Sequence, residues 1–267
     1  MAMLSYQHIY HAGCLADVHK HAALCLLLNQ MVQKDKPLSY VETHAGRGLY
    51  DLQSPESQKT GEAAAGIERV LKDKLFSNDH IYTKTLNAVK AKHGDHIYAG
   101  SPALAQEVLR DYDRIHLSEL HPQEFDHLRH SMRGRNIKSY KRNGYETLRA
   151  ISPCDPRRGF VFIDPSFEIK SEYGEIISHV KHVHRVWNVA VICVWYPLLP
   201  SGAHHEMIEG LQALDLPKTM VNEVEFYTQN GQSRGMYGSG LFIANLPYGV
   251  EDNLNAMTAL LSMKGSV

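Results

Sequence analysis

Residues 158–167 read RGFVFIDPSF, and this stretch decides the fold. Residues 160–163 are all aromatic or β-branched, without a polar interruption, which favours a strand over a helix. A short strand without polar alternation is typical of the centre of a parallel sheet, where helices cover both faces. We therefore predict a strand over 158–164, with Asp164 at its carboxyl end and Pro165 just beyond it.

On both sides of this strand, strand and helix patterns alternate along the chain. The sequence predicts further strands at 37–43, 113–119, 137–142, 189–196, 219–228 and 240–246, and helices at 15–34, 122–132, 145–151, 171–187, 203–214 and 251–263. This alternation indicates an α/β fold with a mostly parallel, doubly wound sheet of seven strands. No helix separates the last two strands, so we expect them to form an antiparallel hairpin at the sheet edge.

Residues 50–98 interrupt the alternation. They are polar, with helical patterns at 61–73 and 80–92 and no strong strand pattern. We interpret them as an inserted helical subdomain within a single domain that spans residues 1–267. After them, Ser101 is expected to cap, and Pro102 to open, a helix that runs to about residue 110.

The composition excludes several classes of protein. Hydrophobic residues make up 43% of the 267 residues and charged residues 21%, which is typical of a globular chain and not of a disordered one. The formal net charge of −1 excludes binding of nucleic acid by bulk charge, so a polyanion has to meet local basic patches. No apolar stretch approaches the roughly 20 residues of a membrane span, and we expect a cytoplasmic protein that does not contact membranes.

Cysteine and histidine usage bears on metals and disulfides. The four cysteines are far apart and form no metal-binding or disulfide pattern, so we interpret them as reduced thiols. The 17 histidines are unusually many, and a metal site is one interpretation of their clusters. The clusters have no cysteine or paired acidic partners, however, and we expect no metal.

A glycine-rich turn follows the first predicted strand. Residues 42–48 read ETHAGRG, and small residues such as Gly46 let a nucleotide-like ligand approach the backbone. Glu119 ends the next predicted strand, where a carboxylate can accept both hydroxyl hydrogens of a ribose. It lies 77 residues after Glu42, against about 20 in dinucleotide-binding folds, and the proposed insertion accounts for the difference. The alternatives are that the glycine-rich turn is only a tight connection and that Glu119 is a carboxylate facing solvent.

The tetrapeptide Asp164-Pro165-Ser166-Phe167 resembles the (D/N/S)-P-P-(Y/F/W) catalytic motif of S-adenosylmethionine-dependent amino-methyltransferases. The exocyclic amine of adenine is a poor nucleophile, and the carboxylate of Asp164 and the carbonyl of Pro165 can accept its two hydrogens. Phe167 can stack on an extruded base. Ser166 replaces the usual second proline, and we expect activity to survive this change. The alternative is an Asp-Pro turn without chemical importance.

Several short blocks extend the resemblance from about residue 3 to about residue 248. They are LSYQH at 4–8, HAG at 11–13, ADV at 16–18, KH at 20–21, THAG at 43–46, GSP at 100–102, ELHP at 119–122, WYP at 195–197 and RGM at 234–236. In this order they are similar to the bacterial 23S ribosomal RNA adenine-N6 methyltransferase family. The resemblance implies a Rossmann-like class I methyltransferase fold and S-adenosylmethionine as the cofactor.

The resemblance also implies roles for individual residues. Tyr6 would contact the substrate RNA, and Asp164, Pro165 and Phe167 would form the catalytic motif. Asn143 stands where the family has an aspartate near the adenine ring of the cofactor, and its side-chain carbonyl can still accept a hydrogen bond from the amine. The residues expected to bind the cofactor are Lys20, His21, His44, Gly46, Ser101, Glu119, Asn143, Gly144 and Asp164.

The substrate implied by the resemblance is an adenine of 23S ribosomal RNA, either naked or in a partly assembled large subunit, and we expect the enzyme to act as a monomer. Two local basic clusters could contact RNA, one at Arg133, Arg135, Lys138, Lys141 and Arg142 and the other at Arg157 and Arg158; solvated surface is the alternative. A DNA adenine-N6 methyltransferase and a non-catalytic RNA-binding protein of the same fold are the alternative functions. The first alternative usually carries a separate target-recognition domain, for which the sequence has no candidate.

Overall fold

The structure, a computed structural model, describes residues 6–169, 171–226 and 235–264. Its strands are β1 Ser39–Glu42, β2 Leu49–Asp51, β3 Ile97–Ala99, β4 Arg114–Ser118, β5 Ile137–Tyr140, β6 Gly159–Ile163, β7 Val191–Leu198, β8 Met220–Glu225 and β9 Gly238–Ala244. Seven of them form one sheet in the order β5-β4-β1-β6-β7-β9-β8. The strands β5, β4, β1, β6 and β7 are parallel to one another, and β9 is antiparallel to both β7 and β8. The predicted seven-stranded sheet with an antiparallel edge hairpin is confirmed.

The helices lie between these strands as the alternating pattern predicts. They are α1 Leu15–Val32, α2 Pro55–Thr60, α3 Arg69–Lys72, α4 Ile81–His93, α5 Ser101–Val108, α6 Pro122–Ser131, α7 Gly144–Ile151, α8 Glu172–Val186, α9 Ala203–Gln212 and α10 Glu251–Lys264, with a 3-10 turn at His8–Tyr10 and a π-helical turn at Ala64–Glu68. None of the helices within the described ranges has the length and apolar character that crossing a membrane requires.

Strand β6 shows why the sheet is covered on both faces. Phe160 and Phe162 pack into the core formed with α1, α4, α5, α6 and α10, whereas Val161 and Ile163 pack into the core formed with α7, α8 and α9. Successive side chains of a strand point to opposite faces, so a strand that is apolar at every position has to be covered by two layers. The run of apolar residues in the sequence therefore reports this central position.

The segment between β1 and β4 differs in part from the expectation. Helix α4 lies where the second helical pattern predicts it, but α2, the π-helical turn and α3 replace a single helix, and Gly66 within the turn has non-helical angles (φ −96°, ψ −110°). A side chain at Gly66 would overlap the carbonyl oxygen of Gly13, so the turn packs against the N-terminal segment. Strands β2 and β3 form an antiparallel pair with Tyr50 opposite Tyr98, which the sequence analysis missed. The division into a domain and an inserted subdomain stays a prediction.

The expected cap of α5 is wrong. Gly100 is the N-cap, and Ser101 and Pro102 are the first residues of the helix. The hydroxyl of Ser101 instead donates a hydrogen bond to the Glu42 carboxylate. Serine at the start of a helix usually caps it, but here its hydroxyl binds a buried carboxylate at the end of β1.

Candidate active site

The predicted site residues follow the carboxyl ends of neighbouring parallel strands. His44 follows β1, Glu119 follows β4, Asn143 follows β5 and Asp164 follows β6. Since parallel strands end at one edge of a sheet, these residues lie along the same edge, where open α/β sheets bind their ligands. Leu4, Ser5 and Arg234, which contributed to the sequence resemblance, lie outside the described residues.

Lys20 connects this edge to helix α1. Its Nζ atom lies 2.8 Å from Oδ2 of Asp164 and 3.0 Å from Oδ1 of Asp17, and 6% of its side chain is exposed. The same ammonium group lies 4.9 Å from the ring centroid of Trp195. Burial lowers the pKa of Lys20, but the carboxylates of Asp164 and Asp17 outweigh that effect and raise it well above its ordinary value. Lys20 is therefore a charged group shared by two carboxylates.

Asp17 extends this network to the N-terminal segment. Its Oδ2 atom accepts a hydrogen bond from the Gly13 amide at 2.8 Å and lies 2.9 Å from Nε2 of His8. Burial raises the pKa of Asp17, but His8 and Lys20 lower it by more, so it stays well below its ordinary range. The Tyr6 hydroxyl lies 2.8 Å from Nδ1 of His8. Contacts thus run from the predicted RNA contact Tyr6 through His8, Asp17 and Lys20 to Asp164.

The sequence analysis assigned no role to Asp17 or His8. Both lie in blocks that carry the resemblance, and Asp17 is the one acidic residue of the largely buried helix α1. An unexplained acidic residue in such a helix was the available signal, because a buried carboxylate needs a partner.

His21 is directed away from this network. Its Nδ1 atom lies 2.7 Å from the hydroxyl of Tyr98, which itself lies 3.1 Å from the hydroxyl of Tyr82. The ring is buried, and burial lowers the pKa of His21 to about 3. His21 thus joins α1 to β3 directly and to α4 through Tyr98. Its role beside the cofactor stays a prediction.

Glu119 fixes the glycine-rich turn. Its two oxygens accept hydrogen bonds from the backbone N–H groups of Gly46 at 2.9 Å and His121 at 2.7 Å. Gly46 has φ +59°, in the left-handed region that glycine adopts without strain. Burial raises the pKa of Glu119, although these backbone donors lower it in part. A carboxylate has about four acceptor positions, so Glu119 can accept ribose hydroxyls in addition to the two amides.

Glu42, the first residue of the glycine-rich stretch, is a buried carboxylate for which no role was predicted from the sequence. It accepts hydrogen bonds from the hydroxyl groups of Tyr40, at 2.8 Å, and of Ser101. Burial raises the pKa of Glu42 to about 8, although both hydroxyls lower it in part. Ser101 is thereby positioned at the site edge by Glu42.

His44 and Asn143 border the start of α7. Nδ1 of His44 lies 2.8 Å from the Thr43 hydroxyl, and its ring meets the ring of Tyr145 edge-on at 5.2 Å. Burial lowers the pKa of His44 to about 4. Asn143 caps α7, since its Oδ1 accepts from the amides of Tyr145 at 2.9 Å and Glu146 at 3.1 Å. These two bonds use both acceptor positions of that oxygen, so the expected contact between Oδ1 and a cofactor amine requires the cap to open.

Gly144 lies where the start of α7 packs against the residue that follows β1. A side chain here would overlap the carbonyl oxygen of Thr43. The close approach of α7 to the end of β1 therefore requires glycine at this position.

The loop after β6 presents the predicted catalytic motif. One-tenth of the Asp164 side chain is exposed. Phe167 adopts φ +55°, a conformation that is costly for a residue with a side chain and that clusters at functional sites. Its ring packs against Tyr173 at 4.5 Å and Trp195 at 6.0 Å between centroids. The ring on which a base is expected to stack is thus buried and held by two neighbouring aromatic rings.

The two basic clusters lie in different places. Lys138 is on the edge strand β5, Lys141 and Arg142 follow it toward the site edge, and Arg133 and Arg135 precede it; all five are exposed. Arg157 and Arg158 precede β6 and so lie at the opposite edge of the sheet from Asp164. Arg158 donates to the carbonyl oxygens of Lys36, at 3.1 Å, and Met31, which fixes the end of α1.

No group of three or more histidine, cysteine or acidic residues within the described ranges is arranged to hold a metal ion.

Comparison with known proteins shows which family the chain matches. Residues 35–264 match the family described as "Ribosomal RNA large subunit methyltransferase D, RlmJ". The chain is 33% identical over 264 residues to "Ribosomal RNA large subunit methyltransferase J" of Escherichia coli K12, covering 98% of this chain and 94% of that protein. The protein of the same name from Haemophilus influenzae is 34% identical over 265 residues, covering 97% and 93%. A Legionella pneumophila crystal structure superposes with a TM-score of 0.82 at 33% identity, covering 94% of each chain.

Proposed function

The chain belongs to the family described as ribosomal RNA large subunit methyltransferase D, RlmJ, and on this premise we propose that it transfers a methyl group from S-adenosylmethionine to N6 of an adenine in 23S ribosomal RNA. The structural observation that carries the proposal is the ion pair between Lys20 and Asp164, 2.8 Å long. It holds a carboxylate at the carboxyl end of β6, within an Asp-Pro-Ser-Phe motif. Pro165 and Phe167 complete the proposed catalytic residues.

S-adenosylmethionine is the cofactor, and the residues around Glu119 suit it. The hydroxyl of Ser118 is buried beside Glu119 and has no hydrogen-bond partner among the described residues. A buried hydroxyl without a partner is costly, and together with free acceptor positions on Glu119 it fits a ligand that carries hydroxyl groups. Lys20, His21, His44, Gly46, Ser101, Asn143, Gly144 and Asp164 are proposed to line the remainder of this site.

When bound, S-adenosylmethionine supplies an electrophilic methyl group on a sulfonium, so no metal is required. The chain supplies the geometry. We assign Asp164 and the Pro165 carbonyl to accept the two N6 hydrogens of the adenine, which draws the nitrogen toward a tetrahedral shape and frees its lone pair. Phe167 holds the extruded base by stacking. The proton that leaves N6 passes by way of the Asp164 carboxylate to solvent.

The substrate RNA is proposed to be naked or partly assembled, because an adenine that is packed inside a folded subunit cannot be extruded onto Phe167 beside Asp164. We propose that the enzyme works as a monomer and in the cytoplasm, where bacterial ribosomes are assembled. Tyr6 is assigned to the RNA, since 36% of it is exposed and contacts through His8, Asp17 and Lys20 connect it to Asp164.

The test supplies methyl-labelled S-adenosylmethionine with protein-free 23S rRNA, assembled large subunits, duplex DNA or adenosine, and analyses each digest for N6-methyladenosine. Label in protein-free rRNA, and in none of the other substrates, supports the proposed reaction and substrate. Label in DNA would replace it with the DNA methyltransferase alternative. Cofactor binding without transfer to any substrate would favour a binding protein of the same fold.

A further inference from the structure

A surface cavity of about 390 Å³ lies between α7 and α8, and Asn143 is the one residue of the proposed cofactor site that lines it. This volume lies within the roughly 300–1,000 Å³ of small-ligand sites. The lining extends from the N-cap of α7 to its last turn and along the first half of α8. The two helices follow β5 and β6, and Asn143 lies at the same edge of the sheet as Asp164. Its lining residues are Asn143, Tyr145, Glu146, Arg149, Glu175 and Ser178, together with His179.

Two stacked rings form one wall of the cavity. Tyr145 and His179 lie parallel, with their centroids 4.1 Å apart and their planes within 5°. Tyr145 is 6% exposed, and His179 is half-buried in front of it. A flat, rigid pair of rings of this kind is the surface on which proteins stack unpaired bases of RNA.

Polar groups at the same place lack partners. Arg149 and Glu175 are exposed, and within the described parts of the chain neither side chain forms a hydrogen bond or an ion pair. The Tyr145 hydroxyl is buried without a hydrogen-bond partner among the described residues. Burial raises the pKa of Tyr145, and the carboxylates of Glu172, Glu175 and Asp164 raise it further. The hydroxyl therefore lies in the electrostatic field of both the cavity and the catalytic loop.

We propose that this cavity binds one unpaired nucleotide of the RNA, close to the target adenine, and that its base carries an exocyclic amine. The inference rests on the proposed function for the identity of the polymer. The base stacks on His179, Glu175 accepts a hydrogen from the amine, and Arg149 binds a neighbouring phosphate. Because Glu146 is paired with Arg142 at 3.0 Å, it is the carboxylate of Glu175 that disfavours a free, multiply charged anion. Of the residues assigned to the cofactor, only Asn143 lines the cavity.

The experiment measures RNA binding independently of methylation. The shortest 23S rRNA fragment that the wild-type protein binds is selected by fluorescence anisotropy, and each unpaired nucleotide is replaced in turn by an abasic one. The wild type, His179→Ala and the control His182→Ala are titrated with this set at one salt concentration, since affinity for RNA depends on salt. His182 is on the same helix, outside the cavity lining. Methylation of each RNA and the Kd for S-adenosylmethionine are measured in parallel.

We expect one abasic position to weaken binding to the wild type by about tenfold, the usual loss for one stacked base. His179→Ala should weaken binding to the intact RNA by a similar factor and should be insensitive to that position, whereas His182→Ala should behave as the wild type. The Kd for the cofactor should change by less than about twofold in both. If His179→Ala lowers the unfolding midpoint by more than about 5 °C, the exposed Arg149→Ala replaces it, with an equal loss expected.

Three results would overturn the cavity assignment. The first is that no abasic position changes RNA binding, and the second is that the variants bind RNA as the wild type does. The third is that the variants weaken binding of the cofactor and not binding of RNA. Failure of every fragment to bind counts against it as well. If the abasic effect is found but no RNA is methylated, the cavity assignment stands and the proposed function fails.

Discussion

The ammonium group of Lys20 lies 2.8 Å from Oδ2 of Asp164, so a residue of the first long helix fixes one oxygen of the proposed catalytic carboxylate. The other oxygen, Oδ1, is then the one assigned to the adenine amine. Because Lys20 is also held by Asp17 at 3.0 Å, the orientation of Asp164 depends on contacts that begin outside the catalytic motif.

The first prediction separates the charge of Asp164 from its acceptor oxygen. Asp164→Ala removes the acceptor and should lower kcat by about 10²–10³-fold, the usual range for removal of an electrostatic interaction in a transition state. Asp164→Asn keeps one carbonyl oxygen and should retain more activity than the alanine variant. Single-turnover methylation of rRNA measures both, and calorimetry should show a smaller change in cofactor affinity. Equal activity of the alanine variant and the wild type would remove Asp164 from the mechanism.

The second prediction concerns Lys20. Lys20→Met leaves the carboxylates of Asp17 and Asp164 close together without their shared cation, and breaking a buried pair in this way typically destabilises a protein by about 3–5 kcal/mol. We expect that loss in urea unfolding, together with a lower kcat. The double variant Lys20→Met/Asp17→Asn should recover part of the stability, because one of the two unpaired charges is gone. No recovery would mean that the two residues do not share an ion pair. Lys59→Met, at an exposed lysine, is the control.

Much of the fold follows from the sequence because its signals are local. The apolar run at 160–163 reports a strand covered on both faces, and the alternation around it reports the order of the layers. The pair β2–β3 was missed because each strand has three residues, too few for a periodic pattern. The sequence also predicted that the candidate site residues follow the ends of neighbouring strands, and the structure places them there.

The contacts between the site residues were less predictable. Ser101 has the residue type of a helix cap, yet it bonds Glu42, 59 residues away in the chain. Lys20 meets Asp164 across 144 residues. Which partner a buried polar group takes depends on the packed fold, and no pattern within a window of sequence contains that information.

The third prediction uses the raised pKa of Glu42. With a pKa of about 8 in the folded protein and an ordinary value near 4.5, the folded state holds a proton that the unfolded state releases between these values. The stabilisation by Glu42 is therefore present at low pH and is lost as the pH rises toward 8, by up to about 1.4 kcal/mol per pH unit.

The variant Glu42→Gln carries no such proton. The free energy of unfolding of the wild type relative to Glu42→Gln should fall steadily from pH 5 to pH 8 in urea titrations. A constant difference across that range, as expected for the exposed control Glu251→Gln, would contradict the raised pKa.

The fourth prediction tests the packing of α7. Gly144→Ala places a methyl group on the carbonyl oxygen of Thr43, and relief of that overlap has to move the start of the helix away from β1. We expect a loss of about 1–3 kcal/mol in the free energy of unfolding and weaker binding of S-adenosylmethionine. Gly174→Ala, within α8, is a matched control because a side chain there meets no atom within 4 Å, and it should be neutral or slightly stabilising. Equal behaviour of the two variants would show that the close approach at Gly144 is not required.

The last prediction concerns the exposed basic residues along the edge strand. Lys138 is on β5, and Lys141 follows it at the site edge with its ammonium 5.9 Å from the ring centroid of Phe125. If both bind RNA phosphates, Lys138→Gln/Lys141→Gln should weaken RNA binding irrespective of sequence. The slope of log Kd against log salt should become shallower by about 0.7–0.9 for each phosphate that is no longer neutralised. Cofactor affinity should not change, because neither residue is among those assigned to the cofactor.

Arg157→Gln removes one positive charge at the opposite edge of the sheet, and its salt slope should match that of the wild type. If this control reduces the slope as much as the double variant, long-range charge and not direct phosphate binding along β5 determines RNA affinity.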